Sequence, residues 1–166
     1  MRTGDLSGSR LCQAEDPSLL VFLPAVPEWT IRNAVRRDIE PVLALWAAAE
    51  NLPTVTDTDE GLRALLATDA EALLLAEINE RVAGSLIAAW DGWRGSFYRL
   101  AVHPDHRRRG IATALLREGE RQLQARGAVR LTAIVADSDP VASGFWAAAG
   151  YAKQADRARF VRLIES

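Results

Sequence analysis

A short arginine run stands immediately before a glycine and a helical repeat of apolar residues. Residues 107–109 are all arginine, Gly110 follows, and the repeat begins at Ile111. The first backbone N–H groups of a helix lack partners within the helix, and the helix dipole adds partial positive charge there. Arginine side chains add fixed charge, and a glycine lets a ligand approach the backbone closely. The stretch from Tyr98 to Leu116 therefore predicts a site for a small anion.

The composition of the chain argues against several kinds of partner and site. The chain has 166 residues and a net charge of −2, so no overall positive field attracts nucleic acid. Cys12 is the only cysteine, which excludes an intrachain disulfide, argues against a zinc cage and fits a reducing compartment. No stretch approaches the roughly 20 apolar residues of a membrane-spanning helix, and the N-terminus is not a convincing signal peptide. We expect a cytoplasmic protein that binds neither nucleic acid nor membrane.

Hydropathy patterning places the site within one domain. Residues 1–27 predict an N-terminal extension, either a frayed end or a segment that docks as an edge strand or on a partner. Residues 28–166 form the domain, and their pattern gives the order β-α-α-β-β-β-α-β-α-β-β. Early hairpins and later crossover helices indicate an α/β (α+β) fold, with a mixed sheet of about six or seven strands flanked by about four helices.

Three segments near the anion site carry more specific predictions. The residues from Ile111 to Ala125 predict a helix that Gly127 ends. The residues from Val129 to Ala136 are almost wholly apolar, which predicts a central and buried strand. The residues from Tyr151 to Ile164 predict a last pair of strands.

One motif carries a family resemblance. Residues Arg107 to Ala112 fit the pattern (Arg/Gln)-x-x-Gly-x-(Gly/Ala). They follow a strand that ends in Leu100-Ala101-Val102, and a later helix ends at Gly150-Tyr151. Together these features resemble the GNAT superfamily of acyl-CoA-dependent N-acetyltransferases. The resemblance covers roughly residues 30–164 and is strongest from about 94 to 151.

The resemblance implies acetyl-CoA as co-substrate and no metal. In this family the loop amides hold the CoA pyrophosphate, the sheet splays after the preceding strand, and the pantetheine arm enters the gap. The N–H of Val102 would then polarise the acetyl carbonyl and stabilise the developing oxyanion. The residues assigned to acetyl-CoA in this way are Ala101, Val102, Arg107, Arg108, Arg109, Gly110, Ile111, Ala112, Thr113, Asp139 and Trp146.

The resemblance also locates the position expected to protonate the departing thiolate. Family members often carry a tyrosine five residues before the aromatic of the Gly-aromatic pair, and that position is Trp146 here. Because an indole N–H is a weak donor, we interpret Trp146 chiefly as lining the CoA channel. Asp139 stands where the family often has an asparagine. Tyr98 is a substitute donor, although a strand tyrosine is more often a packing residue, and unassisted thiolate departure is the other alternative.

The general base has several candidates. Residues 96–102 carry no carboxylate, whereas many relatives have a glutamate in that strand. The candidates are Asp91, His103, Glu50 and Asp137, and a water chain competes with all of them. A histidine titrates near neutral pH, but a His-Pro pair is more often a turn. An aspartate at a helix start, such as Asp137, is more often a cap.

The acceptor is expected between the first two helices and the loop from Asp91 to Gly95. Acidic side chains beside aromatic faces would suit a cationic amine. Alternatively, the tryptophans are core residues, the acidic residues belong to a solvated loop, and Arg94 or Arg99 binds a substrate carboxylate. The residues in this predicted group are Trp46, Glu50, Asn51, Asp57, Asp59, Trp90, Asp91, Trp93 and Arg94.

The sequence thus predicts direct acetyl transfer from acetyl-CoA to a primary amine of a small molecule or peptide. Direct transfer follows because Cys12 stands far in sequence from the motif, and no other plausible nucleophile accompanies it. The alternative is a non-catalytic acyl-CoA sensor on the same fold. A nucleic-acid module is disfavoured by the net charge. A homodimer is left open, since such enzymes often form dimers.

Overall fold

The structure, a computed structural model, describes residues 28–164. These residues form one five-stranded sheet in the order β1-β2-β3-β4-β5, in which the first four strands are antiparallel and β5 runs parallel to β4. Among them, no helix is both long and apolar enough to cross a membrane. The elements are β1 (Thr30–Asn33), α1 (Ile39–Ala48), α2 (Asp59–Thr68), β2 (Leu73–Ile78), β3 (Arg81–Trp90), β4 (Gly95–Val102), α3 (Ile111–Ala125), β5 (Leu131–Ala133) and α4 (Pro140–Ala148), with short 3-10 turns at Arg36–Asp38 and Pro104–His106.

The helices cover both faces of the sheet. Strand residues alternate between faces, so neighbours such as Leu74 and Leu75 enter different cores. The first core packs α3 and Trp146 of α4 on one face, and the second packs α1 and α2 on the other. The buried strand residues of the first core are Leu74, Ala76, Ala83, Leu86, Ala88 and Phe97, and those of the second are Leu73, Leu75, Ile87 and Ala101.

The mixed α/β architecture and the four helices agree with the sequence prediction, whereas the strand count does not. The described residues contain five strands, not six or seven. Residues 151–164 form no strand, and the segment from Val129 to Ala136 contributes only the three residues of β5. That segment lies at the sheet edge, and Val129 is 95% exposed. The prediction of a central, buried strand was wrong because an apolar run cannot by itself distinguish an edge strand from a central one. The predicted extension of residues 1–27 lies outside the described residues.

Local signals set the helix ends. Thr58 begins α2 by accepting the N–H of Gly61 at 3.0 Å, and Asp139 begins α4 by accepting the N–H of Ala142 at 2.8 Å. Gly127 follows α3 with a φ of 97°, a left-handed conformation that glycine adopts without a side-chain clash. The helix predicted from Ile111 to Ala125, and its end at Gly127, are therefore confirmed.

Candidate functional site

The sheet opens between β4 and β5. Only Gly95–Phe97 of β4 pairs with β5, and the Ser96 and Thr132 hydroxyls are 3.1 Å apart within this short ladder. Beyond Phe97, β4 has no strand partner on that side within the described part of the chain. The two strands therefore leave a gap beside the C-terminal half of β4.

A β-bulge lies at the start of this unpaired half. Ser85 pairs with Ala101 and Ile87 with Tyr98, so the single residue Leu86 of β3 faces both Arg99 and Leu100 of β4. Arg99 has a φ of 53°, which accommodates the extra residue. Bulges bend the strand that carries them, and this one coincides with the point where β4 leaves β5.

The end of β4 presents a free backbone donor to the gap. The N–H of His103 bonds to the Ala83 carbonyl at 2.9 Å. Because inter-strand bonds alternate along an antiparallel pair, the neighbouring N–H of Val102 points away from β3 and toward the gap. It has no hydrogen-bond acceptor within residues 28–164. This amide is therefore available to bind a carbonyl oxygen.

The N-terminus of α3 opens beside the end of β4. The first intrahelical bond runs from the N–H of Ala114 to the carbonyl of Gly110, at 3.0 Å. The preceding three helical N–H groups, at residues 111–113, bond to no acceptor in the described residues. Gly110 has a φ of 82°, and a Cβ placed on it would meet no atom within 4 Å. Free amides, the helix dipole and open space are together the features of an anion site.

The three arginines of the motif have different surroundings. Arg107 donates to the carbonyls of Val102 and Ala49, each at 3.3 Å, and so ties the end of β4 to the end of α1. Arg109 pairs with Glu28 at 3.2 Å on the surface. Arg108 is exposed, and no side-chain hydrogen bond or ion pair is found for it among the described residues. Arg108 is thus the arginine most available to an anion.

Two cavities flank the start of α3. An open groove of about 720 Å³ separates it from β1, and a smaller cavity of about 260 Å³ separates it from α4. Thr113 and Arg117, in the first two turns of α3, line both cavities. Both cavities therefore lie next to the free amides at the start of the helix. The smaller cavity is lined by Thr113, Leu116, Arg117, Glu120, Phe145, Ala148 and Ala149.

Comparison with known proteins identifies the family. The model of the acetyltransferase (GNAT) family matches residues 40–151. The chain belongs to the GNAT family. An acetyltransferase of Yersinia pestis (strain Pestoides F) is 36% identical over 124 residues, covering 75% of this chain and 88% of the relative.

Solved structures share the fold of this GNAT chain at low sequence identity. Ard1 from Thermoplasma volcanium superposes with a TM-score of 0.70 at 19% identity, covering 77% of this chain and 85% of Ard1. The PaiA N-acetyltransferase of Thermoplasma acidophilum, solved in complex with coenzyme A, gives 0.62 at 15% identity, covering 73% and 87%.

Trp146 of this GNAT protein belongs to an aromatic cluster at the base of the gap. It is 9% exposed, and its ring lies 4.9 Å from that of Tyr151 and 5.9 Å from that of Phe97. The Tyr151 hydroxyl donates to Glu120 at 2.7 Å, and burial raises the pKa of Tyr151 above its usual value. No hydrogen-bond partner of the Trp146 indole N–H is found among the described residues. Asp139 uses its carboxylate to cap α4.

Three of the predicted base candidates are engaged elsewhere. Asp91 accepts the N–H groups of Trp93 and Arg94 at 2.8 and 2.6 Å, which lowers its pKa. Asp137 pairs with Lys153 at 2.7 Å, which lowers the pKa of Asp137 below the ordinary aspartate value. The Nδ1 of His103 accepts the N–H of Asp105 at 3.3 Å.

The structure separates the predicted acceptor residues into two groups. Trp46, Glu50 and Asn51 lie on or just after the C-terminal turn of α1, which Arg107 ties to the end of β4. The hairpin residues lie at the other end of β4, roughly 23 Å away at 3.3 Å per strand residue. The residues placed there are Trp90, Asp91, Trp93 and Arg94. The single pocket expected from the sequence is therefore corrected to two separate surfaces.

Four of the predicted acceptor side chains differ in their burial and in their partners. Trp46 is 4% exposed and belongs to the second core, as the core interpretation of this residue predicted. Asp57 pairs with Arg99, and Asp59 pairs with Arg63 on the surface of α2. Glu50 is exposed, with a φ of 59°, and immediately follows the Ala49 carbonyl that Arg107 holds.

Sequence reasoning did not find Ser85 or the partner of Arg99. Ser85 is fully buried and bonds to both Trp46 and Arg99. A lone serine within an apolar strand was the only available signal for this contact.

Proposed function

We propose that this GNAT protein transfers the acetyl group of acetyl-CoA directly to a primary amine of a small molecule or peptide. The observation that carries the proposal is the pairing of two free donors: the amides at the start of α3 and the N–H of Val102 facing the gap. The first suits a pyrophosphate and the second a thioester carbonyl, and the gap connects the two positions.

The reaction needs little covalent chemistry from the chain. The neutral amine nitrogen attacks the thioester carbonyl carbon, the C–S bond breaks, and CoA leaves as a thiolate. The amine gives up one proton, which a base or a water accepts. In this proposal Ala101 and Val102 lie along the pantetheine arm, and the Val102 N–H stabilises the charge that develops on the carbonyl oxygen. The acetyl group reaches the amine without a covalent enzyme intermediate.

Glu50 is the carboxylate that we assign to the amine. It is exposed, it lies at the end of α1 beside the end of β4, and it forms no ion pair within the described residues. A free carboxylate attracts a cationic amine and can accept its proton directly or through water. Tyr98, 41% exposed and carried by β4 next to the bulge, is the proposed proton donor to the thiolate.

The proposal predicts that Gly110→Ala weakens acetyl-CoA binding without unfolding the protein. The new Cβ meets no protein atom within 4 Å, and it adds bulk at the residue that immediately precedes the free amides. Gly127→Ala is the matched control, because Gly127 has a φ of 97°, equally open surroundings and a position at the other end of α3. Both variants should lose about 1 kcal/mol of stability from the left-handed backbone.

Only Gly110→Ala should lose acetyl-CoA affinity, by about tenfold or more. Isothermal titration calorimetry measures the affinity, and release of free CoA thiol in the presence of an amine panel measures transfer. Equal acetyl-CoA affinities for Gly110→Ala and Gly127→Ala would contradict the proposed pyrophosphate site.

A non-catalytic acyl-CoA sensor is the second candidate. Trp146 at the usual donor position favours it, as do the engaged carboxylates of Asp91 and Asp137. The same thiol-release assay separates the two functions. Tight acetyl-CoA binding with no thiol release across small amines, polyamines, aminoglycosides and peptide N-termini would support the sensor.

A further inference from the structure

Arg99 is held in place through its backbone. It is part of the β4 bulge, and its carbonyl accepts the Ser85 hydroxyl proton at 3.1 Å. The same hydroxyl accepts the indole N–H of Trp46 at 2.8 Å. Ser85 is completely buried and uses both its donor and an acceptor, so this small polar network is satisfied inside an apolar core. The network fixes the bulge relative to α1.

The side chain of Arg99 spans the loop between α1 and α2, residues 49–58. Its Nε and Nη2 donate to the two carboxylate oxygens of Asp57, and the Nε bond is 2.9 Å. Its remaining donors reach the Leu52 carbonyl at 3.1 Å and the Thr54 hydroxyl at 3.2 Å. One guanidinium therefore contacts three positions of a loop that otherwise has no strand or helix.

The ion pair is shielded from solvent. The side chains of Arg99 and Asp57 are 15% and 12% exposed, whereas those of Arg63 and Asp59 in the surface pair of α2 are 43% and 53% exposed. Asp57 also accepts the N–H of Thr54 at 2.7 Å, which organises the loop around this carboxylate. A bidentate, shielded arginine–carboxylate pair constrains the relative position of its two side chains more strongly than an exposed pair does.

These contacts leave Arg99 little capacity for a substrate. Its side chain already bonds to Asp57, Leu52 and Thr54, and its guanidinium lies 5.2 Å from the centre of the Trp46 ring. The Asp57 carboxylate is likewise already paired with Arg99, which leaves the neighbouring Glu50 to attract an amine. The loop held by Arg99 is the one that carries Glu50 and Asn51.

We propose that Arg99 is a positioning residue that clamps residues 49–58 against the β4 bulge and thereby shapes the amine site. The inference rests on the proposed acetyl transfer. It assigns Arg99 no contact with acetyl-CoA or with the amine. The clamp links the strand that would bind the acetyl group to the loop that would bind its acceptor.

The first test measures amide hydrogen exchange in residues 51–58. Arg99→Ala and Asp57→Asn should each speed exchange in this loop by about tenfold or more, because both remove the clamp. The Kd for acetyl-CoA should stay within about twofold of the wild-type value, because neither residue faces the α3 amides. Arg63→Ala, which breaks the exposed pair of α2, is the control and should leave loop exchange unchanged. Wild-type exchange rates in both clamp variants would overturn the proposal.

The second test separates positioning from substrate contact. With the best acceptor of the amine panel, Arg99→Ala should raise the KM for the amine about fivefold and leave the KM for acetyl-CoA unchanged. Arg99→Lys should give an intermediate KM because it keeps the charge and loses the two-pronged contact. Combining Arg99→Ala with Asp57→Asn should be no worse than either change alone, since both act on one contact.

Two outcomes identify different failures. If Arg99→Ala impairs only acceptors that carry a carboxylate, while Asp57→Asn has no effect, Arg99 contacts the substrate and the positioning role is overturned. If the wild-type protein binds no acetyl-CoA, the proposed function fails, whereas the exchange measurement still reports on the clamp.

Discussion

Trp146 combines a packed ring with an N–H group that bonds to no described residue. Its ring contacts those of Phe97 and Tyr151, so its shape contributes to the core. The role proposed for this N–H is a hydrogen bond to the departing thiolate, which requires donation without proton transfer. An indole does not titrate in the relevant range, which makes proton transfer from this group unfavourable.

Trp146→Phe distinguishes packing from donation at this position. The substitution keeps an aromatic ring and removes the N–H, so we expect kcat to stay within about threefold of wild type. Thermal unfolding should show a loss of about 1 kcal/mol from the smaller ring. Trp90→Phe, at the far end of β3, serves as the control for a general effect of the substitution. A kcat at least tenfold lower than that of Trp90→Phe, with KM for acetyl-CoA unchanged, would show that the indole N–H takes part.

Residue chemistry was predictable where it depended on local sequence. Gly110 and the helix that follows it were recognised from the arginine run, the glycine and the apolar repeat, all within a few positions. The individual roles of the arginines were not, because Arg107 bonds to Ala49, which lies 58 positions earlier in the chain. Arg99 and Asp57 are 42 positions apart, so nothing local indicates that they pair.

At the scale of elements, α3 depends on a glycine to reach the sheet. A Cβ on Gly119 would lie 2.9 Å from the ring of Phe97 and 3.0 Å from Leu86, both of which are buried. These distances are too short for normal packing, so the helix could not keep its present depth with a larger residue. The close approach brings α3 over β4, the strand that ends at Val102.

Gly119→Ala should therefore destabilise the protein by about 1–3 kcal/mol, although alanine favours helix more than glycine does. Gly144→Ala in α4 is the matched control, because a Cβ there would meet no atom within 4 Å. That change should stabilise the protein by up to about 1 kcal/mol. Chemical denaturation of both variants measures the difference. A stabilised Gly119→Ala variant would mean that α3 packs less closely than the structure shows.

Elements with local capping signals were predicted better than elements defined by pairing. The helices were predicted from apolar residues at helical spacing and from local end signals such as Gly127 after α3. The last two predicted strands were not found in the described residues, since a strand depends on a distant partner and not on its own pattern. The gap between β4 and β5 came from the family resemblance, because hydropathy alone cannot show where two strands separate.

At the scale of the whole molecule, one ion-pair cluster joins β1 to β2 and to the short turn that precedes α1. Arg32 of β1 donates to Asp38 at 2.7 and 2.9 Å and to Glu77 of β2 at 2.6 Å. Asp38 also accepts the N–H of Val35 at 2.8 Å, and its side chain is 7% exposed. The cluster therefore fixes the start of α1 against the sheet, so its loss should affect global unfolding.

Asp38 makes the stability of the whole protein depend on pH. The hydrogen bonds from Arg32 hold the pKa of Asp38 below its usual value in the folded state. A carboxyl with a lowered folded pKa stabilises the protein above the unfolded pKa of about 3.9, and this contribution disappears as the pH falls through the folded pKa. Asp38→Asn should therefore cost about 2 kcal/mol at pH 7, as expected for a shielded hydrogen bond between charged groups. The free-energy difference from wild type should shrink as the pH drops below about 4.

Denaturant unfolding of wild type and Asp38→Asn between neutral pH and pH 2.5 measures this difference. Asp59→Asn is the control, because Asp59 pairs with Arg63 on the exposed surface of α2 and its loss should have no measurable effect. Arg32 keeps its contact with Glu77 in the Asp38 variant, so the fold should persist and both transitions should remain cooperative. A difference between wild type and Asp38→Asn that stays constant down to pH 2.5 would show that the ionised carboxylate is not its source, because protonation of Asp38 must remove any advantage that depends on its charge.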